Sequence, residues 1–533
     1  MREPARVRVR LKGTSQYFAP VASVDLSGAP AGTGTAREAA PYDAAGGFGR
    51  RSRAWRVGGY GPNTALTYAL DELRQKSRDQ ARKNPYARAA IDRLVTNIVG
   101  TGIKPQSTAA ISTVGMSKAQ AKAAKKLSEQ FRQAVTRLWW DWTDQADSTG
   151  AHDFYGLQAI AVRGMIEGGE CFLRMRPRRL TDGLTVPLQL QVLEGDHCDA
   201  FKTNASERIR QGIQYDAIGA RQGYWLYREH PGDGLLGGAG SLAQSLVPAS
   251  DVCHLYRAMR PGQDRGEPWL APALQTLYDL SGYLDAELVR KKNSAMFVGF
   301  IKRIADGQSP LGADGPDDAG SAGLAFEPGT LQILEDDEDV TFSDPKDVGP
   351  NFEAFVRQSL RGIATAAGTL YELLSGDYSQ LNDRTLRAAL NDFRRAVEGW
   401  QHHHVVYQVC RPVYARWIDL AILSGALILP PGMRRQDAYA AKWTPQAWPY
   451  IHPVQDVESK QMEIRAGFST RSQKVSEGGY DAEAIDAENA QDNARADALG
   501  LIYASDGRQK TGSAGNAGAA GDAPAGGNGP TAD

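Results

Sequence analysis

The sequence predicts an α+β fold that is predominantly helical. Long segments with apolar residues at three-four spacing stand on both sides of the chain's middle, the period of a helix with one buried face. Short segments rich in β-forming residues cluster between about residue 170 and residue 256. The 533 residues are 42% hydrophobic and 23% charged, ample for a core and long enough to divide into several subdomains.

Residues 1–56 are rich in Gly, Ala and Arg and read as a flexible basic arm, with ten basic against four acidic side chains. Order begins near Thr64. Asn84-Pro85-Tyr86 reads as a helix start, with Asn as cap and Pro in the first helical position. Ile91, Leu94, Val95 and Ile98 then share a face, and Gly100 stops the helix. A further helix carries Leu127, Phe131, Val135, Leu138 and Trp142, and Asp153 is placed to cap a helix over 154–165.

Strands are expected at 170–175, 188–192, 213–217, 224–228 and 252–256, with a Gly-rich loop at 232–240. After Pro268 comes a long helix whose Leu270, Leu274, Leu277, Ser281, Leu284 and Leu288 repeat on steps of four and three, the stripe of a helix packed at a shallow angle. Residues 297–304 have β character, 306–323 read as loop, 330–334 as a strand, and Glu335, Asp336, Asp337, Glu338 and Asp339 form an unbroken acidic run.

Residues 351–374 are helical again. Ser375, Gly376, Asp377, Tyr378, Ser379, Gln380, Leu381 and Asn382 break the pattern. Asp383 can cap a very long helix with the face Leu386, Leu390, Phe393, Val397, Trp400, His404 and Tyr407. Two last helices are expected at 454–465 and 481–499, followed by a Gly- and Ala-rich disordered tail at 507–533.

Composition excludes several classes. A net charge of −1 supplies no global field for nucleic acid, so any DNA contact rests on local placement. Cys171, Cys198, Cys253 and Cys410 lack metal-ligand spacing and are too sparse for a disulfide framework, so they read as buried small hydrophobes. The N-terminus has no apolar core of a secretory signal, and the longest apolar stretch, 417–429, is too short to span a bilayer. A soluble, cytoplasmically made chain is expected.

Signatures of chemistry are absent from the sequence. It holds no GxxxxGK[ST] loop, so it is not expected to be an ATP-driven motor, and no GxSxG, HExxH or CxxC. His402-His403-His404 cannot converge on one ion if helical, because consecutive side chains point about 100° apart; His404 reads as a packed residue. The acidic run reads as a solvated turn rather than a cation site, since no calcium-loop spacing surrounds it. Trp139-Trp140-Asp141-Trp142 offers a base-stacking platform in principle, but Trp142 lies on a helical core stripe and burial is the better reading. No cofactor and no metal are expected.

Two stretches carry a family likeness. SRDQARKNPYARAAIDRLVTNIVGTGIKPQS (77–107) and RGEPWLAPALQTLYDLSGYLDAELVRKKNSAMFVGFI (265–301) closely resemble the lambda-type family of tailed-phage portal proteins. EGGECFLR (167–174) and VPASDVCHLYR (247–257) resemble it too, in the family's order, so the likeness covers about residues 60–480. It implies a portal-type subunit: a wing at 57–266, stem helices at 267–297 and 347–374, a β-containing clip at 298–346, a channel loop at 375–382, a long helix and wing return at 383–448, and a helical crown at 449–503. It also implies a homo-oligomer of twelve subunits at the capsid vertex of a virion. Double-stranded DNA would pass through its channel without sequence readout.

The resemblance implies further partners: the terminase packaging motor, the major capsid or scaffold protein, and a head-tail connector, with no membrane. By that analogy Ser375 to Asn382 face DNA, and Glu335 to Asp339 on the clip face the motor. No enzymatic role is implied. The alternatives are a head-completion or minor capsid protein outside the channel, and a DNA-processing enzyme with divergent carboxylates; no two-metal constellation is legible for the latter.

Overall fold

Helix α1 (Pro62–Lys83) leads directly into α2 (Pro85–Ile98), because Asn84 between them has extended backbone and ends one helix while capping the next. Its side-chain oxygen accepts from the backbone N–H of Tyr86 (2.9 Å) and Ala87 (3.2 Å), as the sequence predicted. The computed structural model describes residues 59–233, 243–295, 299–303, 338–342, 351–448, 452–501 and 503, and its helices and strands all belong to the unit Gly61–Asp533. The basic arm, the 507–533 tail, the 306–323 loop, the 330–334 strand, residues 335–337 and most of the 232–240 loop lie outside the described residues.

Strand β1 (Lys104–Ser107) precedes α3 (Lys118–Thr143) and α4 (Phe154–Gly168). Asp153 caps α4 by accepting from the Gly156 N–H at 2.7 Å. The buried face of α3 runs through Ala124, Ser128, Phe131, Val135, Trp139 and Trp142. Of the expected stripe Phe131, Val135 and Trp142 are buried, while Leu127 is exposed and Leu138 half-buried because Ser128 and Trp139 take the inner positions beside them. Trp139 and Trp142 are core residues, with Trp139 against Phe154 at 5.2 Å, edge to face, and against Trp417 at 5.0 Å. Their indole N–H groups donate to the Tyr155 hydroxyl (3.2 Å) and the Leu188 carbonyl (2.8 Å), which lets both rings be buried without an orphaned donor. Trp140 is exposed.

The strands form two antiparallel sheets in this region. Strand β2 (Glu170–Pro177) lies between β3 (Leu188–Glu194) and, beyond β4 (Ile209–Arg210), β5 (Ile213–Tyr215), β6 (Arg221–Tyr227) and β7 (Gln244–Pro248), the strand β8 (Val252–Tyr256). Strands β4 to β7 make a four-stranded sheet in sequence order. Strand β5 stops at Tyr215, short of the expected 217, because Asp216 accepts from the N–H groups of Ile218 and Ala220 and turns the chain. Strands β1, β4 and β7 were not expected from sequence; they are short, and β1 pairs only with a strand more than three hundred residues on.

A buried carboxylate ties these elements together. Glu170, at the start of β2, accepts from Arg74 of α1, from Arg265 Nε (2.7 Å), from the Gly266 N–H (3.0 Å) and from His254 Nε2 of β8 (2.9 Å). Arg265 is itself fully buried and also donates to the carbonyls of Gln211 (2.7 Å), Gly195 (3.0 Å) and Cys198 (2.9 Å). Arg221 donates to His254 Nδ1 at 3.1 Å, which fixes the neutral tautomer with its proton on Nε2. Burial pushes the Glu170 carboxyl up, but the charges of Arg265 and Arg74 and the His254 hydrogen bond outweigh it and hold the group well below the usual range. Burial pushes the His254 imidazole down to about 4.

Helix α5 (Leu274–Ala295) follows one tight turn at Ala271–Ala273, so it begins six residues later than Pro268 implied. The hairpin β9 (Gly299–Arg303) and β10 (Glu338–Phe342) stands between α5 and α6 (Asn351–Ala367). The expected helix over 351–374 is broken: Gly368 takes φ +75°, and a short α7 (Tyr371–Ser375) follows. Helix α8 (Asp383–Trp400) is capped by Asn382 rather than by Asp383.

A π-helical segment, Gln401–Cys410, joins α8 to α9 (Arg411–Leu423). Its wider turn rotates the buried face, so the stripe extrapolated through His404 and Tyr407 fails. Val405, Val406, Val409 and Cys410 are buried, His404 is half-buried and Tyr407 is exposed. Gln408 of this segment caps the edge of β8, exchanging hydrogen bonds with the backbone of Tyr256 at 2.9 and 3.1 Å. A short α10 (Arg435–Ala438), β11 (Ala441–Thr444, paired with β1), α11 (Pro453–Arg465), α12 (Arg471–Glu477) and α13 (Ala482–Leu499) complete the chain.

The buried cluster has two consequences for stability. Glu170→Gln leaves two buried guanidiniums without their counter-charge, and should lower the unfolding free energy by about 3–5 kcal/mol, read as a shift in urea midpoint. His254 is neutral when folded and takes a proton below about pH 6.5 when unfolded, so it costs stability as pH falls from about 6.5 towards 4. The stabilisation from Glu170, whose folded value is depressed, persists over that window and is lost only further into acid. His254→Gln should make unfolding free energy less steep in pH over that window, by up to about 1.4 kcal/mol per pH unit; equal slopes for parent and variant would refute the assignment.

Candidate functional site

The candidate site is framed by α5 and α6. Leu270, Leu274, Leu277 and Leu280 are buried, and Leu284 is half-buried, but Leu288 stands in the open. The stripe read from sequence is therefore a core stripe only in its first half. Asn84 braces this half from α2, donating to the Leu277 carbonyl (3.3 Å) and the Ser281 hydroxyl (2.8 Å). Further along, Tyr283 meets Phe355 at 4.9 Å, edge to face, and joins α5 to α6. Around this seam Tyr278 (68%), Leu288 (54%), Val289 (53%) and Phe355 (52%) keep more than half of their surface exposed.

The segment 375–382 is a break between helices, as the sequence implied, but it is an ordered one. Gly376 takes φ +72° and ends α7. Asp377 then organises the turn: it accepts from the Ser379 hydroxyl (2.6 Å) and N–H (3.1 Å) and from the Tyr371 hydroxyl (3.0 Å), and lies 3.8 Å from Arg357 of α6. These hydrogen bonds and that charge hold its carboxyl below the usual range. Asp377 thus ties the turn together and links it to α6. Asn382 is occupied as the α8 cap, accepting from the Thr385 N–H at 2.9 Å. Tyr378, Ser379 and Gln380 are the exposed tip; Ser375 and Leu381 are half-buried.

The last two residues of the acidic run lie in a strand, not in the turn expected from sequence. Glu338 and Asp339 open β10, where the register sets them opposite Arg303 and Lys302 of β9. Glu335, Asp336 and Asp337 lie outside the described residues.

Other candidates for chemistry resolve as structural. His402 and His403 are exposed, and burial together with the Arg257 charge pushes half-buried His404 down to about 4. Burial raises all four thiols, Cys198 to about 11 and Cys253 to about 12, so none is a thiolate at neutral pH. Among the described residues one group has cation-ligand spacing, Glu194, Asp196 and His230, which sequence reasoning did not find. Arg78 already bridges both carboxylates, at 2.7 Å from Glu194 and 2.5 Å from Asp196. His230 Nδ1 accepts from the Gly232 N–H, so the neutral ring carries its proton on Nε2, facing Glu194. The group is a salt-bridge cluster joining α1 to the end of β3. No helix among the described residues is long and apolar enough to cross a membrane.

Comparison with known proteins settles the family. The family model described as "Phage portal protein, lambda family" matches residues 48–401. The chain belongs to the lambda family of phage portal proteins. The family is a structural one. The probable portal protein of Halomonas phage phiHAP-1 is 26% identical over 421 residues, covering 76% of each chain. Portal protein B of Escherichia phage lambda is 22% identical over 517 residues, covering 89% of this chain and 93% of that one, and the Escherichia phage N15 portal protein is also 22% identical. Among solved structures, a chain from the neck of a native gene transfer agent particle, computed with C12 symmetry, is 18% identical with a TM-score of 0.41, over 78% of this portal protein and 93% of that chain.

For the portal subunit's 375–382 segment, Asp377→Asn should loosen the turn without unfolding α6 or α8. Amide hydrogen exchange should speed up at Ser379 and its neighbours and stay unchanged in α2 and α9; unchanged exchange at Ser379 would show that Asp377 does not hold the turn.

Proposed function

We propose that this portal protein forms a closed ring of twelve copies at the capsid vertex and conducts double-stranded DNA in packaging and ejection. The observation that carries the reading is the half-covered seam of α5 and α6. Two helices are joined by Tyr283 and Phe355, yet leave Tyr278, Leu288, Val289 and Phe355 exposed. Such a pair is a wall element whose remaining apolar side calls for the next copy, through a heterologous contact that closes when the rotation per subunit is right. The residues at 375–382 are placed where α6 and α7 end and α8 starts, which supports their role as the channel loop. With Asp377 internally tied, the DNA-facing groups in this reading are Tyr378, Ser379 and Gln380. Contacts of that kind touch the backbone and let it slide.

In the same reading α5 and α6 are the stem, the β9–β10 hairpin belongs to a clip at 298–346 that docks the terminase motor, α1 to β8 form the wing, and α11 to α13 form the crown. The acidic residues Glu335, Asp336 and Asp337 are then the motor-facing charges. Glu338 and Asp339 stand opposite basic residues in the hairpin, which makes them the weaker contributors. The major capsid or scaffold protein and a head-tail connector complete the partners.

Native mass spectrometry and class averages of the purified chain test the ring: closed rings with a central hole are expected, and stable folded monomer at micromolar concentration would refute it. Deleting 376–381 should leave the rings intact, because no buried apolar side chain is removed, while impairing packaging or retention of DNA. Full-length packaging by the deletion variant would remove the channel-loop assignment and leave the ring untouched.

A further inference from the structure

Outside the stem and loop, one surface concentrates charge of a single sign. The first half of α3 carries Lys118, Lys122, Lys125 and Lys126, all exposed. None of the four enters an ion pair among the described residues. They lie on the side of the helix away from the buried Ala124, Ser128, Phe131 and Val135, and Glu129 is the one acidic residue that shares their side. The whole chain carries a net charge of −1, so this is local segregation rather than a basic protein's average.

The helix start reinforces the charge instead of cancelling it. The N-terminal end of a helix is the positive end of its dipole, where acidic side chains stabilise and basic ones cost about 0.3–1 kcal/mol. The first turn of α3 holds no acidic residue and begins with Lys118. Its capping box pairs Ser117 with Gln120, where Glu would serve the same geometry and neutralise part of the field.

We propose that this face of α3 binds the phosphate backbone of double-stranded DNA without reading its sequence. The four lysines span about 12 Å of helix axis, on the order of the width of a DNA groove. Between them stand Ala119 and Ala123, both exposed and small enough to let a phosphate strand approach. Lys is a mobile point charge with no fixed fork, suited to contacts that form and release as DNA moves. A protein partner fits less well, because protein interfaces deplete Lys and centre on aromatic or Arg anchors, and this face has neither. A membrane surface also fits less well: an interfacial helix inserts an apolar face, and that of α3 is already used in the core. The inference rests on the portal reading only in taking DNA as the polyanion met.

The test is binding of the full-length chain to two short duplexes of unrelated sequence, by fluorescence anisotropy at salt from about 50 to about 200 mM. The parent should bind both alike, with log K falling linearly in log salt. Replacing Lys118, Lys122, Lys125 and Lys126 together by Ala should reduce the magnitude of that slope by about 3 to 4 and weaken binding at least tenfold at the lower salt. Gln120→Glu, which keeps the capping box, should weaken binding of both duplexes several-fold. An unchanged slope in the folded quadruple variant overturns the proposal. So does binding of polyglutamate at least tenfold tighter than of duplex at equal charge concentration, which would mark the face as a site for acidic polypeptide. Native mass spectrometry of the same samples separates the two readings: failure to form rings counts against the portal reading, whereas rings with an unaltered slope count against the α3 face alone.

Discussion

The arrangement of this subunit depends on one carboxylate buried where charge is least welcome. Glu170 has no contact with water, and a lone ion there would cost several kcal/mol. It is kept ionised because Arg74, Arg265 and His254 converge on it from three separate parts of the chain. Each partner is in turn committed: Arg265 spreads its other donors over three carbonyls, and His254 is locked into one tautomer by Arg221. The cluster therefore works as a register device: a shift of α1, β8 or the 262–268 loop would strand a buried charge.

Backbone shape around the cluster is as constrained as its charge. Gly169 and Gly266 face each other so closely that a Cβ on Gly266 would meet the Gly169 carbonyl oxygen at 2.1 Å. Gly169 also takes φ +89°, a conformation that favours glycine. With that contact fixed, Pro268 and the turn before α5 start from a defined point, and Trp269 docks on Trp400 at 4.9 Å. The same cluster that joins α1 to the sheets thus aims α5, and through the Tyr283–Phe355 seam it sets α6, α7 and the 375–382 turn. Long-range ionic order near residue 170 becomes placement of a loop two hundred residues later.

What was legible in the sequence was local, and what was missed was not. Asn84 and Asp153 announced their helices because capping chemistry is written within three residues. The strands at 170–177, 188–194 and 252–256 were legible as short apolar-rich runs that break the helical period. The Glu170 cluster was invisible although EGGECFLR and RGEPW both drew attention, because nothing in either stretch says that Glu170 meets Arg265. The π-helical segment defeated a stripe extrapolated at 3.6 residues per turn, and Tyr407 was misplaced as a result. At the site, the break at 375–382 was legible from Gly376, but the inward commitment of Asp377 depends on Tyr371 and Arg357 and was not. The lysines of α3 were readable, since no acidic residue intervenes between Lys118 and Lys126, but only the buried face of α3 showed that they share the free one.

Near-neutral net charge and contact with a polyanion are compatible because charge acts over a short range. At physiological salt, fields from exposed groups decay within about 8 Å, so any polyanion would respond to the nearest few side chains rather than to the chain's total of −1. What matters is whether opposite charges lie close enough to cancel. Along α13, acids and bases do so: Glu483 pairs with Arg132, Asp486 with Arg471 and Asp492 with Arg495. In the 375–382 turn Asp377 is drawn towards Arg357, leaving a polar tip of near-zero charge. On the first half of α3 the lysines enter no ion pair among the described residues, although Glu129 shares their side. Charge is thus cancelled in places on the described surface, while the first half of α3 keeps a run of exposed lysines and the 375–382 tip is nearly neutral. In the proposed conduit such a division would matter: a strand held by many charges along its whole path would bind tightly and stop moving, since each neutralised phosphate adds to the salt-dependent affinity.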